Sequence, residues 1–457
     1  MLKLLKRLFF FLFPVKKIEK ALTSPPITDQ DELDQINKWI KAYHGEGEHL
    51  TSEMVSERLE YAIAHLYAVV TTTEIKANIL DNDEMDACFQ ELIQQLPAIA
   101  EIAEATSAVI LFPQIYGQKI LFNAVPAGSF YKQKKNVIDD TVAVALVQKQ
   151  KQGSDYIYTL ITECVFEQGN DEMGRYTTRN TAFQSKKADE LGTITSVEKV
   201  EAWANIQDWE FPASVPWFVV IDYGTSAFNE VMKLCAEVDW LTWAIKVEFE
   251  EKAPITVADI DAFQKGEDGR LKIDKKSRRM QLVDMKNMYR VDSFTYQTDE
   301  MARRKQDLIR TIERTVGFSY GVLSDPQSIE RTATELKYSR TMLYNSVEQR
   351  KEIIRAALEK VVIVMTEVWR AAFGSGYENG GLHWENSDNI LVTEEERKQA
   401  VIEEINMLMR LKAAGEVPSG YIFAKLKQYE ETFGSVVDEE MLTQARNELG
   451  AMPESEF

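Results

Sequence analysis

Three cysteines, Cys88, Cys164 and Cys235, and four histidines, His44, His49, His65 and His383, are the side chains of this 457-residue sequence best suited to hold a metal or attack a substrate. The cysteines are odd in number and far apart, so neither a disulfide framework nor a paired zinc site is encoded, and a reducing compartment fits. No HExxH, CxxC, GxxxxGK[ST] or GxGxxG pattern occurs, which leaves zinc-protease, triphosphate and dinucleotide chemistry without their usual residues. Asp81 and Asp83 form a close acidic pair of the kind that acid–base enzymes use. Nothing else converges on them, and a solvated loop accounts for them as well. The expectation is a protein with no metal, no cofactor and no enzymatic activity.

Composition points the same way. With 53 basic and 73 acidic residues the net charge is −20, against a surface that grips DNA by neutralising phosphates. A hydrophobic share of 45%, with only 21 Gly and 12 Pro, belongs to a folded chain. The length allows a large core or several modules. The N-terminal MLKLLKRLFFFLFPVKKIEKAL surrounds the apolar run Leu8–Phe13 with six basic residues. That run ends at Pro14, short of the ~7–15 residues of a signal-peptide core and the ~20 of a membrane span. It reads as a basic amphipathic arm docked on a neighbouring surface, with a membrane-surface anchor as the alternative.

Positioning any site then falls to elements of alternating class. Residues 28–107 read as helical, with Ile36, Trp39 and Ile40 on one face, then Ser52–Val70, then Asp83–Ala108 with a break or kink at Pro97. From Ala108 the runs AVILF, QKILFNAV, SFYK, TVAVALV and SDYIYTLITECVF predict an antiparallel meander of about five strands. Gln168–Asp208 is polar and turn-rich, and PWFVVID (216–222) is one last strand before Gly224. A helix from Ser226, with Phe228, Val231, Cys235, Val238, Ile245 and Phe249 at helical spacing, ends before Pro254.

Residues 254–297 read as a small β-rich insert. Within 264–280, seven basic side chains (Lys265, Arg270, Lys272, Lys275, Lys276, Arg278, Arg279) face three acidic ones, a local +4. The next helix opens at Thr298, Asp299 and Glu300 and closes at Gly317. Met301, Leu308, Ile309, Ile312 and Val316 give it a narrow apolar stripe, and Arg303, Arg304, Lys305, Arg310 and Arg314 cover the rest. GFSYGVLSDPQ then makes a compact loop, and 328–373 runs 46 residues without Gly or Pro. An unbroken helix of that length approaches ~70 Å. The narrow stripe, and a long helix with no intrachain partner of equal length, predict contacts between copies around a rotation axis. LHWENSDN is strand-like, Thr393 and Glu396 make a capping box, and helices at 400–414, 421–432 and 438–449 follow. Residues 385–457 carry 16 acidic and 7 basic side chains, so this end is strongly acidic.

The stretch VGFSYGVLSDPQSIERTATELKYSRTMLYNSVEQRKEIIRAALEKVV (316–362), with its Gly-Phe-Ser-Tyr-Gly loop and Thr-Ala-Thr-Glu helix start, resembles the portal proteins of tailed bacteriophages, in particular those of siphophages of Gram-positive hosts. INKWIKAYHGE, ILFNAVPAGSFYK, EVDWLTWAIKVEFEEKAPITV and LHWENSDNILVTEEE add to the likeness in the order that the family shows. Val322 departs from the pattern, where Thr is expected, and 150–210 carry no match.

The resemblance implies an α+β, portal-type fold. Its helical and antiparallel β wing would be 1–225 with the long spar helix and return strand 328–390. The two-helix stem would be 226–252 and 298–316, the small β-rich clip 253–297, the tunnel loop 317–327 and the helical crown 391–457. It implies a ring, usually of twelve subunits, at one capsid vertex, assembled in the host cytoplasm with the major capsid and scaffolding proteins and without stable membrane association. Double-stranded DNA would be packaged and ejected through it, and the terminase large subunit and a head–tail connector would dock on it. Gly317, Phe318, Ser319, Tyr320, Gly321 and Ser324 would form the DNA tunnel loop, with Ser319 and Tyr320 toward the lumen. Lys272, Lys275, Lys276, Arg278 and Arg279 would form the clip docking face, and Arg303, Arg304, Lys305, Arg310 and Arg314 would cover the stem. Another phage ring, such as an adaptor or tail component, is the alternative, and an α+β enzyme a further one.

Overall fold

The computed structural model describes residues 14–73, 75–80, 82–135, 141–152, 156–168, 173–187, 190–203, 206–251, 255–259, 279–283, 289–292, 297–319, 321–325, 333–374, 381–385, 402, 404–408, 410 and 425–427. The chain divides into two compact units, 1–385 and 386–457. In the second, the described residues are helical, with Ile405, Leu408 and Leu426 buried.

The first unit mixes helices with largely antiparallel sheets. Its helices are α1 (Val15–Ile18), α2 (Gln30–His44), α3 (Leu59–Thr72), α4 (Asp83–Thr106), α5 (Met232–Glu251), α6 (Thr298–Val316) and α7 (Ala333–Phe373). Local chemistry sets several of their ends. The Asp29 side chain accepts the Glu32 N–H at the start of α2, and Gly45 closes that helix with φ +73°. At α4 the Asn82 side chain accepts the Met85 N–H, and Asp83, Glu84 and Asp86 crowd the positive end of the dipole. The helix continues through Pro97 instead of ending there, since its apolar face, Phe89, Leu92, Leu96, Ile99 and Ala103, is buried on both sides of the proline. α3 starts at Leu59, seven residues after Ser52, because Arg58 takes a left-handed φ of +57° and ends the preceding irregular segment.

Strands β2 (Ala108–Tyr116), β3 (Lys119–Pro126), β4 (Phe130–Lys135), β5 (Thr141–Gln152) and β6 (Tyr156–Glu167) fall where the alternation places them, but they do not make one meander. β2 and β3 pair with β10 (Val219–Asp222) in the order β10-β2-β3. The other three continue into β7 (Gly174–Ser185) and β8 (Thr193–Thr195), with β9 (Trp209–Ala213) also on β7. β7 is the correction to the polar reading of 168–208. Its Thr- and Arg-rich sequence hides a central strand in which Tyr176, Thr178, Ala182 and Phe183 are buried. β1 (Lys76–Ile79) was hidden in a region read as helical; it pairs with β14 (Leu382–Glu385), the strand-like LHWE. In the insert, β11 (Ile255–Asp259) lies parallel to β12 (Arg279–Val283) and antiparallel to β13 (Tyr289–Asp292).

One continuous core joins α2–α7 to β2, β3 and β10. A smaller one packs Ile18 and Leu33 on Tyr131, Ala145, Val147, Ile161 and Phe183, while Val144 and Leu146, one residue out of phase, enter the main core. The long helix therefore has partners in its own chain: Ile354, Leu358, Val361, Met365 and Val368 are buried in the main core, and Val347 is buried as well. The stripe of α6 is covered too, with Leu308, Ile309 and Ile312 buried. The α6 stripe is therefore not too narrow for a core within the chain, and the long helix is buried without a partner of equal length. Hydrophobic burial needs area and not a partner of equal length, and several short elements supply it.

Candidate functional site: the loop after α6 and the two-helix arm

α6 ends as its sequence predicts. Gly317 adopts φ +81°, and the N–H groups of Gly317 and Phe318 turn back onto the Arg314 and Glu313 carbonyls. Phe318 then enters the core at 4% exposure, its ring centroid 4.7 Å from that of Tyr67. Ser319 is half-buried, Tyr320 lies outside the described residues, and Gly321 takes φ +83°, open to glycine and strained for most other residues. Ser324 is buried and turned into the chain.

What holds this loop is Glu313. Its carboxylate accepts the backbone N–H groups of Gly321 (3.3 Å), Leu323 (2.6 Å) and Ser324 (2.8 Å) and the Ser324 hydroxyl (2.8 Å). Gln306 Oε1 accepts the Asp325 N–H at 3.1 Å. The loop is thus fastened to α6 along its length.

Beneath it lies a buried polar network. The Tyr67 hydroxyl donates to the Val316 carbonyl and accepts from Ser346 on α7. The Arg350 guanidinium stacks 3.9 Å above the Tyr67 ring and donates to Glu104 Oε1 at 2.7 Å. Glu104 is fully buried, and that burial pushes its carboxyl up to about 7 against the opposing pull of Arg350. Arg350 itself is raised: burial works against its charge, but Glu104 and the tyrosines outweigh it. Loop, α3, α4 and α7 thus share one set of contacts.

The arm made by α5 and α6 is tied to the loop 45–58. Asp239, buried on α5, meets His49 Nε2 at 2.9 Å and accepts the Glu57 N–H at 2.7 Å. Glu57 takes Lys305 Nζ at 2.7 Å and the Thr242 hydroxyl at 2.9 Å; burial opposes its charge, but these bonds outweigh it and hold its carboxyl low. Nearby Glu60 is buried, and that desolvation, reinforced by Asp239, raises it to about 7. Of the arm's cations, Arg304 pairs with Glu237 at 3.1 Å and Arg310 with Asp307 at 3.0 Å, while Arg303 and Arg314 are exposed. On α5 the row Trp240, Trp243 and Val247 is incompletely covered, with Trp240 51% exposed.

Of the basic insert residues, Lys272, Lys275, Lys276 and Arg278 lie outside the described residues, as do the N-terminal arm to Phe13 and most of 391–457; Arg279 begins β12 opposite Ile255. Residues 317–321 also spell Gly-x-Ser-x-Gly, the pattern of a nucleophile elbow. An elbow needs a strand before its serine and a helix after it. Here α6 precedes Ser319, so the pattern carries no such chemistry. Cys88, Cys164 and Cys235 are separately buried, none in a disulfide. No helix among the described residues is long and apolar enough to cross a membrane.

Sequence reasoning missed Glu313, Glu104, Tyr67 and Arg350. For the two acids a signal existed: Glu313 follows Ile312 on the apolar stripe of α6, and Glu104 lies within AIAEIAEAT on the buried side of α4. An acid on the buried face of a helix needs donors from elsewhere in the fold.

No family model and no curated protein matches the sequence. Among solved structures, the chain is similar to a chain of the virion of a native gene transfer agent particle, at 10% identity and a TM-score of 0.39, over 88% of this chain and 96% of that one.

Proposed function

We propose that the protein is a phage portal: a ring of identical subunits at one capsid vertex through which double-stranded DNA is packaged and ejected, and on which the terminase and head–tail connector dock. The observation that carries this reading is the α5–α6 arm. Trp240, Trp243 and Val247 recur at three- and four-residue spacing, and the chain alone leaves Trp240 51% exposed. A second copy is the occupant that suits this face. The same two helices carry exposed Arg303 and Arg314 and exposed Glu250, so head-to-tail repetition can set opposite signs side by side. The order of motifs around residues 316–362 supports the same reading.

Net charge fits the task. DNA that must slide needs a wall that does not hold phosphates, and a chain of −20 withholds the cations that would. Mass photometry at micromolar protein tests assembly: the 52.3 kDa chain should appear mainly as a species many times that mass. Electron microscopy of that species should show a ring with a flared body and a narrow stem. A strict monomer, or a ring without the stem, counts against the portal reading, and the second result favours an adaptor or tail ring.

A further inference from the structure

Glu313 is a carboxylate in an apolar setting, 1% exposed between Ile312 and the end of α6. Among the described residues no cation pairs with it. Charge held so far from water persists only where hydrogen bonds to the charged form replace the solvent. Four donors do so, and all come from 321–324: three backbone N–H groups and the Ser324 hydroxyl. None belongs to α6 itself. These donors converge only when the loop takes this shape, with Gly321 at φ +83° turning the following amides inward. Phe318 against Tyr67 anchors one end, and the Asp325 N–H on Gln306 anchors the other.

The same folding decides which side chains face out. Val322 is 44% exposed and Asp325 is exposed, while Phe318 and Ser324 are buried. We propose that Glu313 is the positioning residue of this loop, fixing it as a stiff lip that presents an aliphatic and an anionic side chain to the DNA path. Neither side chain can hold a phosphate, so the lip guides DNA without gripping it. The part of this inference that concerns DNA rests on the portal reading; the part that concerns loop order does not.

Hydrogen exchange on the assembled protein, read over 317–325, tests the first part. Glu313→Ala removes every acceptor and should speed exchange of the Leu323 and Ser324 amides by about tenfold or more. Glu313→Gln keeps Oε1 for both amides and should restore most of the protection. Exchange in Glu313→Ala within about twofold of wild type overturns the positioning role, as does a Gln variant no better protected than Ala. The second part is read from DNA packaging. Val322→Lys leaves the Glu313 contacts in place and adds a cation at the lip, so packaging should slow by about tenfold at low salt and recover as salt rises. Packaging at the wild-type rate in Val322→Lys, in rings of normal mass, overturns the DNA-facing assignment while leaving the positioning role intact. Loss of the rings themselves overturns the assignment of Val322 to the lumen, since it places that residue in a subunit contact.

Discussion

The loop 317–325 and the α5 face of the two-helix arm lie at opposite ends of one design question. In the loop, a segment rich in polar backbone finds its partners inside the chain: Glu313 takes four donors, Gln306 a fifth, and Phe318 fills a place beside Tyr67. On α5, an apolar row that could have been buried is left partly uncovered at Trp240, Trp243 and Val247. A saturated polar segment is a finished structure. On the reading proposed above, an unsaturated apolar one is half of an interface, because the free energy of burying it, about 25 cal/mol per Å², is still available to a neighbour. On that reading the contrast separates what the chain completes alone from what it leaves for a second copy.

The sharpest way to break the comparison is at the network under the loop. Arg350→Ala removes the bond to Glu104, the contact with Ser346 and the stacking on Tyr67, and leaves a fully buried carboxylate without its cation. The expected loss is about 3–5 kcal/mol at pH 8, measured by urea unfolding. Glu104 already sits near 7 with Arg350 present, so near pH 5 it is neutral and the loss should be smaller. An equal loss at both pH values would show that the charge on Glu104 is not what Arg350 supports.

A smaller effect is expected at Glu60, where α3 meets α5. Its carboxyl is held up to about 7, first by burial and then by Asp239, which itself holds His49 and the Glu57 N–H. A folded-state value above the unfolded one means that the protonated form is favoured by folding. This contribution is fully present below the ordinary carboxylate range and is lost as pH rises through about 7. Glu60→Gln has no proton to lose. It should match wild type near pH 4.5 and exceed it by up to about 3 kcal/mol at pH 8. Unfolding curves at the two pH values check this, and a gap that does not widen with pH rejects it.

The smallest change in subunit stability is expected at Trp240, and it is the one that bears most on function. Trp240→Ser removes half-exposed surface and should leave the unfolding free energy of the dissociated subunit within about 0.5 kcal/mol. Mass photometry across a dilution series should nonetheless show assembly shifted to higher concentration. Unchanged assembly would mean that the α5 face is not where subunits meet.

Much of the architecture was legible because it is set by neighbours in sequence. Asp299, Glu300 and Gly317 mark the ends of α6, and alternation places β2 to β6, each through rules that act within a turn of helix or a strand. Gly317 was legible for the same reason, as a helix end where a left-handed residue continues the chain. Pattern alone did not reveal β7, because a strand covered by sheet on both edges can afford threonine and arginine on its faces. Nor did it reveal β1, four residues whose partner β14 lies some three hundred residues away.

The sequence by itself determined the charge, the ends of α6 and the position of the loop, since propensity, capping and turn chemistry are local. Only the tertiary structure decided that β2 and β3 leave the meander for β10, that α7 is packed into the main core from Ile354 to Trp369, and that Glu313 belongs to the loop and Arg350 to Glu104. Those outcomes depend on which donors and apolar surfaces reach one another in space. The partners of a buried carboxylate are chosen by desolvation, which acts on whatever the fold brings within about 3 Å and takes no account of distance along the chain.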